Sequence, residues 1–61
     1  MCNVADEFLK RYLEKAVIVI MRNGYQQWGT LKGYDGATVL LDVRGKEALI
    51  YRDNISTIRS V

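Results

Sequence analysis

The chain has 61 residues, a net charge of +2, a single cysteine (Cys2) and no histidine. A chain of this length forms one domain with a small core, so we predict a single domain over residues 1–61 that gains stability by self-association. The composition excludes an internal disulfide, argues against a metal site or cofactor, and predicts a protein without catalytic activity.

The sequence shows no pattern of membrane insertion or export. No apolar run approaches the roughly 18 residues that a membrane helix needs. The first residues lack the basic and then apolar pattern of a signal peptide. We therefore predict a cytoplasmic protein with no membrane partner, and the small positive charge weakly favours anionic partners.

The first predicted element is a helix over residues 5–15. Apolar residues recur there at helical spacing, which predicts an amphipathic helix laid over a sheet. Lys10 and Arg11 then face solvent. The apolar stripe consists of Phe8, Leu9, Tyr12, Leu13 and Ala16.

The first two strands follow the helix. Residues 17–21, "VIVIM", are continuously apolar, which predicts a strand buried on both faces. Asn23–Gly24 predicts a tight hairpin, because both residues tolerate positive φ. The long stretch 25–35 contains Gly29 and Gly33, and glycines inside a strand predict bulges or sharp bends.

Three further strands complete the predicted fold. Their ranges are 37–43, 47–51 and 55–61, separated by turns at 35–36, 44–46 and 52–54. The predicted class is mainly β: an N-terminal α-helix followed by a five-stranded, strongly bent antiparallel sheet. Such a sheet closes into a small open barrel.

The fourth and fifth strands are short and apolar, with few of the charges or prolines that protect an edge. We predict that the fourth strand of one subunit pairs with the fifth strand of the next. This head-to-tail contact closes into a ring when the rotation allows. The predicted interface residues are Leu49, Ile50, Tyr51, Ile55 and Thr57.

The order of these motifs resembles the Sm-like family and, within it, the Hfq family of bacterial RNA chaperones. Residues 17–41, "VIVIMRNGYQQWGTLKGYDGATVLL", are similar to the first Sm signature. Residues 45–58, "GKEALIYRDNISTI", are similar to the second Hfq signature, whose usual form runs Tyr-Lys-His-Ala-Ile-Ser-Thr. "ADEFL" matches the usual start of the family's helix.

The resemblance implies a homo-oligomeric ring of six subunits, with seven possible, that binds single-stranded RNA. It implies a pore-face site for uridine-rich RNA, an opposite-face site for adenine-rich RNA and a basic rim. The pore-face residues are Arg52, Asp53 and Asn54; the opposite-face residues are Gly24, Tyr25, Gln26, Gln27 and Trp28; the rim residues are Lys10 and Arg11. On the opposite face, strand alternation predicts that either Tyr25 or Trp28 packs inward.

Several positions depart from the family's uridine pocket. Ala5 stands in place of a glutamine, Ala37 in place of a stacking aromatic, and Asp53 in place of a histidine. An anion near the pore repels phosphate, so the resemblance predicts an altered pocket. Alternatively, "RDN" is similar to the Arg-Gly-Asp-Asn of other Sm proteins, in which Arg52 contacts the base and Asp53 holds the loop. Val39 replaces the asparagine that accompanies that arrangement.

The sequence is consistent with two alternative functions. The chain is also consistent with a structural Sm-like ring that has weakened or altered RNA binding. A monomeric barrel of the SH3 type that binds peptide or DNA is the third hypothesis.

Overall fold

The computed structural model describes residues 4–61, with side chains described from Glu7 onward, so Cys2 lies outside the described residues. The chain begins with α1 and a 3-10 turn, continues through five strands, and has a second 3-10 turn before the last strand. The elements are α1 (Val4–Leu9), the turn Lys10–Tyr12, β1 (Ala16–Met21), β2 (Gln26–Tyr34), β3 (Thr38–Val43), β4 (Lys46–Tyr51), the turn Arg52–Asn54 and β5 (Ile55–Ser60).

The helix is shorter than the predicted span of residues 5–15. The α-helix ends at Leu9, and Glu14 has a left-handed backbone with φ 65°. The Glu14 N–H donates to the Leu31 carbonyl at 2.8 Å, and the Leu31 N–H donates to the Lys15 carbonyl at 3.1 Å. Residues 14 and 15 therefore satisfy their backbone groups by pairing with β2, which ends the helix early.

The apolar stripe of the helix is narrower than predicted. Leu9 is buried, and Tyr12 and Leu13 pack against the core, whereas 51% of the Phe8 surface is exposed. The prediction that Phe8 faces the sheet is wrong, because adjacent residues of an α-helix point about 100° apart and Leu9 is the one directed at the core. Instead the Arg11 guanidinium lies 5.0 Å from the centroid of the Phe8 ring.

The five strands form one antiparallel sheet, as predicted. Its strand order is β4-β3-β2-β1-β5. Its concave side carries the core, and each Val or Leu that is fully buried there contributes roughly 1.5–3 kcal/mol. The side chains with no exposed surface are Val17, Val19, Leu31, Val39 and Leu41. Strands β4 and β5 are the two edges of the sheet.

The bend in β2 has two sources. The register between β2 and β3 shifts between Leu31 and Gly33, which identifies a bulge in β2. At Gly29, a Cβ atom would lie 2.9 Å from the backbone oxygen of Asp42. Only glycine permits that approach, so the backbone of β3 lies unusually close to the backbone of β2 at Gly29.

The β1–β2 and β3–β4 hairpin turns differ in loop length and in which residues have positive φ. The predicted hairpin at Asn23–Gly24 is present as a three-residue loop, in which the Gly24 N–H donates to the Met21 carbonyl at 2.9 Å. Only Gly24 has positive φ there, at 90°. The two-residue turn with positive φ at both positions is instead formed by Arg44 (54°) and Gly45 (83°).

Candidate nucleic-acid interface

Two large aromatic side chains are exposed at the start of β2. Tyr25 is 60% exposed and Trp28 is 54% exposed. The prediction that one of them packs inward is wrong. Tyr25 precedes β2, so strand alternation does not apply to it, and its N–H donates to the Asn23 side-chain oxygen at 3.0 Å. Trp28 lies on the outer face of the sheet, opposite Ile18.

The amides beside these rings are divided between the two faces of the sheet. Gln26 is exposed and lies opposite Ile20 on the outer face, the same side as Trp28. Gln27 lies opposite the fully buried Val19, and its amide nitrogen donates to the Trp28 carbonyl at 3.0 Å. Gln26 is therefore the amide with a side chain free to meet a ligand beside Trp28.

A groove beside these side chains is lined by residues from both faces of the sheet. We call it the aromatic groove and define it by Tyr25, Gln26, Gln27, Trp28 and Arg44; Asp42 also lines it. Arg44 is exposed in the β3–β4 turn and adds a cation, whereas the sequence indicated only a turn there. Aromatic rings stack on bases, amides pair with base edges and cations meet phosphate, so the groove carries the groups that recognise single-stranded nucleic acid.

The turn Arg52–Asn54, which we call the corner loop, is attached to the β2–β3 connection. The Arg52 guanidinium donates to the Asp35 carbonyl at 2.7 Å, and the Arg52 N–H donates to the Ala37 carbonyl at 2.8 Å. Arg52 is half-buried. Sequence reasoning identified Arg52 as a ligand contact and missed this structural role, since nothing local in the sequence links it to Asp35.

The carboxylate of Asp35 holds the same connection in place. One of its oxygens accepts hydrogen bonds from the Ala37 N–H (2.8 Å), the Thr38 N–H (2.7 Å) and the Thr38 hydroxyl (3.0 Å). These bonds favour the charged form and lower the pKa of Asp35 below its ordinary value. Ala37 is exposed and offers no aromatic surface at this position.

Arg22 joins the corner loop to the β1–β2 turn. Its N–H donates to the Asn54 carbonyl at 2.8 Å, and its guanidinium donates to the Asp53 carbonyl. Asp53 and Asn54 are exposed, and their backbone carbonyls make these contacts. No pattern in the sequence indicated this role for Arg22.

The basic residues near the helix have different surroundings. Lys10 and Arg11 are exposed, as expected for a rim. Lys32 forms an ion pair with Glu14 at 2.9 Å, and that hydrogen bond raises the pKa of Lys32. Ala5 lies in α1, and its side chain is outside the described set.

The predicted interface residues lie on the two edge strands. Leu49 and Tyr51 on β4 are 63% and 64% exposed. Thr57 on β5 is also exposed, while Ile50 and Ile55 are half-buried and pack against the core. The protomer thus leaves apolar side chains uncovered along β4.

Comparison with known proteins places the chain in a family. The family model described as Hfq protein matches residues 4–61. The chain belongs to the Hfq family.

Two bacterial Hfq proteins are closely similar in sequence. The chain is 47% identical over 57 residues to the RNA-binding protein Hfq of Geobacillus sp. (strain WCH70), covering 90% of this chain and 77% of that protein. It is 44% identical over 57 residues to the RNA-binding protein Hfq of Bacillus subtilis (strain 168), covering 90% and 78%. The resemblance seen in the sequence motifs is therefore confirmed.

Solved structures agree with this assignment. The crystal structure of the pleiotropic translational regulator Hfq superposes with a TM-score of 0.86 at 36% identity, covering 93% of this chain and 98% of that chain. A heptameric archaeal Sm protein superposes with a TM-score of 0.75 at 21% identity, covering 90% and 97%, which shows a shared fold. The bent five-stranded sheet beneath a short helix is thus the fold of Hfq and Sm proteins.

The described residues contain neither a membrane-spanning helix nor a group of side chains that could hold a metal ion. No helix within residues 4–61 has both the length and the apolar character needed to span a membrane. The described residues also contain no group of three or more His, Cys, Asp or Glu side chains arranged to hold a metal ion.

Proposed function

We propose that this chain is an RNA-binding protein of the Hfq type, which acts in the cytoplasm as an RNA chaperone or post-transcriptional regulator. The observation that carries the proposal is the aromatic groove on a chain of the Hfq family. Similar bacterial proteins bear the name RNA-binding protein Hfq. The function is binding, with no catalytic residue assigned.

The aromatic groove is the main RNA site in this proposal. Trp28 and Tyr25 offer exposed ring surface for base stacking, which contributes about 1–3 kcal/mol per base. The Gln26 amide pairs with a base edge, as expected for adenine, and Arg44 meets the backbone phosphate. Gly24 has φ 90° and precedes Tyr25 in the β1–β2 turn.

The corner loop forms the weaker site. Arg52, Asp53 and Asn54 face the pore in the proposed ring, as the family resemblance implies. The Arg52 guanidinium already donates to the Asp35 carbonyl at 2.7 Å, so its use as a ligand contact competes with a structural bond. Ala37 supplies no stacking ring. We therefore expect uridine-rich RNA to bind less tightly than adenine-rich RNA.

Assembly into a ring completes the proposed function. Strands β4 and β5 are the free edges of the sheet, and β4 carries exposed Leu49 and Tyr51. Edge-to-edge pairing of β4 with β5 of the next subunit buries these side chains and closes a ring. A ring of six then presents repeated aromatic grooves on one face and Lys10 and Arg11 around the rim.

The native mass of the protein and its binding to short oligoadenylate and oligouridylate test the proposal together. We expect a ring mass, tighter binding of oligoadenylate, and an affinity that falls steeply with salt as counterions are released. A ring that binds neither oligomer at micromolar concentration would instead support a structural ring. A stable monomer at high concentration would contradict the proposal and favour the SH3-type alternative.

A further inference from the structure

The two free edges of the sheet carry opposite charges on the same face. On β4, Ile50 and Ala48 lie opposite the fully buried Val39 and Leu41, so Glu47 at the alternate position points outward. On β5, Ile58 lies opposite the fully buried Val19.

Because Ile58 faces the core, its neighbour Arg59 points outward. Arg59 lies opposite Ile18, on the same outer face as Trp28. Both Glu47 and Arg59 are exposed. One edge of the outer face thus presents an anion, and the other presents a cation.

Within the protomer, the charge on β4 is uncompensated. Glu47 lies directly opposite Asp42 on β3, and like charges at directly opposed positions destabilise a sheet. One oxygen of the Asp42 carboxylate is buried without a hydrogen-bond partner. Across the described side chains, neither Glu47 nor Arg59 takes part in an ion pair. Lys46, the neighbouring cation on β4, occupies the alternate position and points to the other face.

Matching the faces of two subunits restricts how β4 and β5 can pair. A slip of one residue would turn every outward side chain to the core side, so outward residues must lie opposite outward residues. The antiparallel register that sets Lys46–Leu49 opposite Thr57–Ser60 matches the faces and places Glu47 directly opposite Arg59. A slip of two residues in either direction leaves Arg59 diagonal to Glu47, about 7–8 Å away and within reach of a long side chain.

We propose that Glu47 of one subunit forms an ion pair with Arg59 of the next subunit, and that this pair favours the register in which the two residues lie directly opposite each other. The partner is a second copy of this chain, selected by charge complementarity at the β4 and β5 edges. Lys32 already interacts electrostatically with Asp42 in the protomer, so the arginine of the next subunit supplies a cation for Glu47. This inference rests on the proposed ring and adds to it the contact that determines how subunits recognise each other.

Charge reversal at single positions tests the contact. In Glu47→Arg every junction of a ring opposes two cations, and in Arg59→Glu every junction opposes two anions. We expect each variant to assemble only at a protein concentration about tenfold higher, because like charges across an interface are strongly unfavourable. Native mass spectrometry or sedimentation measures the assembly. The double variant Glu47→Arg with Arg59→Glu restores opposite charges and should assemble as the unmodified chain does.

A mixture of the two single variants gives a sharper result. Only junctions between unlike variants then place opposite charges together, so the mixture should assemble at concentrations where neither variant assembles alone. The resulting rings should alternate strictly, with equal numbers of each variant, which is possible only for an even number of subunits. Recovery in the mixture also shows that both variants are folded.

Lys46→Glu is the matched control, since it makes the same change in net charge as Arg59→Glu and lies next to Glu47 on β4, but on the other face. It should assemble nearly as well as the unmodified chain. Single reversals that assemble normally, or mixed rings of random composition, would overturn the ion pair while leaving the ring intact. An unmodified chain that stays monomeric would instead refute the proposed ring.

Discussion

At the scale of single residues, Asp35 is the side chain with the most consequential hydrogen bonds. Its carboxylate accepts three bonds from Ala37 and Thr38, and its carbonyl accepts one from Arg52. Replacing it with alanine removes the carboxylate bonds and should lower the melting temperature. Asp35→Asn keeps one acceptor oxygen and should cause a smaller loss.

The pH dependence of the melting temperature shows how much of the stability supplied by Asp35 depends on its negative charge. Its pKa in the folded state is lower than the ordinary value of 3.8, so its contribution to stability is complete above that value. The contribution is lost as the pH falls through the lower folded-state pKa. The melting temperature of the unmodified chain should therefore approach that of Asp35→Asn as the pH falls from 3.8 through the lower folded-state pKa. A difference that stays constant down to strong acid would contradict this role.

Trp28 is the residue on which the proposed RNA site depends most. Its ring is 54% exposed, so Trp28→Ala should leave the melting temperature nearly unchanged. We expect the affinity for oligoadenylate to fall by roughly 5-fold to 100-fold, the loss of one stacked base. Fluorescence anisotropy measures this change, and Trp28→Phe, which keeps a ring, is the control. Equal affinities for the alanine variant and the unmodified chain would remove Trp28 from the site.

The family resemblance singled out Tyr25 and Trp28, whereas strand alternation wrongly predicted that one of them packs inward. The contacts that hold the corner loop were missed. The bond from Arg52 to Asp35 joins residues 17 positions apart, and those from Arg22 to Asp53 and Asn54 join residues about 31 apart. Such partners depend on how three loops meet, which local patterns do not specify.

At the scale of elements, the bend in β2 depends on Gly29. A Cβ at this position would lie 2.9 Å from the backbone oxygen of Asp42, which cannot move without shifting β3. Gly29→Ala should therefore destabilise the fold by about 1–3 kcal/mol, measured by urea unfolding. Gly33→Ala is the control, because no atom lies within 4 Å of the added Cβ. Its effect should stay within about 0.5 kcal/mol, and equal losses for both variants would contradict the steric explanation.

The strands were predictable and the end of the helix was not. Apolar runs separated by the turns Asn23–Gly24, Asp35–Gly36, Arg44–Lys46 and Arg52–Asn54 located all five strands to within one or two residues. The helical spacing of apolar residues continued past Leu9, so it favoured a helix to residue 15. The backbone of Glu14 and Lys15 pairs with Leu31, and that tertiary pairing outweighs local helical preference.

At the scale of the whole molecule, ring formation should contribute directly to stability. Subunits that bind each other only when folded raise the melting temperature as concentration rises. We expect this increase for the unmodified chain over about a 100-fold range of concentration. Leu49→Lys should abolish it, because Leu49 is 63% exposed in the protomer and would be buried between subunits in the proposed ring. A melting temperature independent of concentration in the unmodified chain would contradict ring formation.

The two bonds made by Arg22 also have a consequence for communication across the molecule. They fasten the turn that bears Tyr25 to the carbonyls of Asp53 and Asn54. Any ligand that displaces this turn must either break those bonds or carry the corner loop with it. RNA bound in the proposed aromatic groove should therefore affect the corner loop, and the rate at which the Arg22 amide exchanges its hydrogen with solvent would report that coupling.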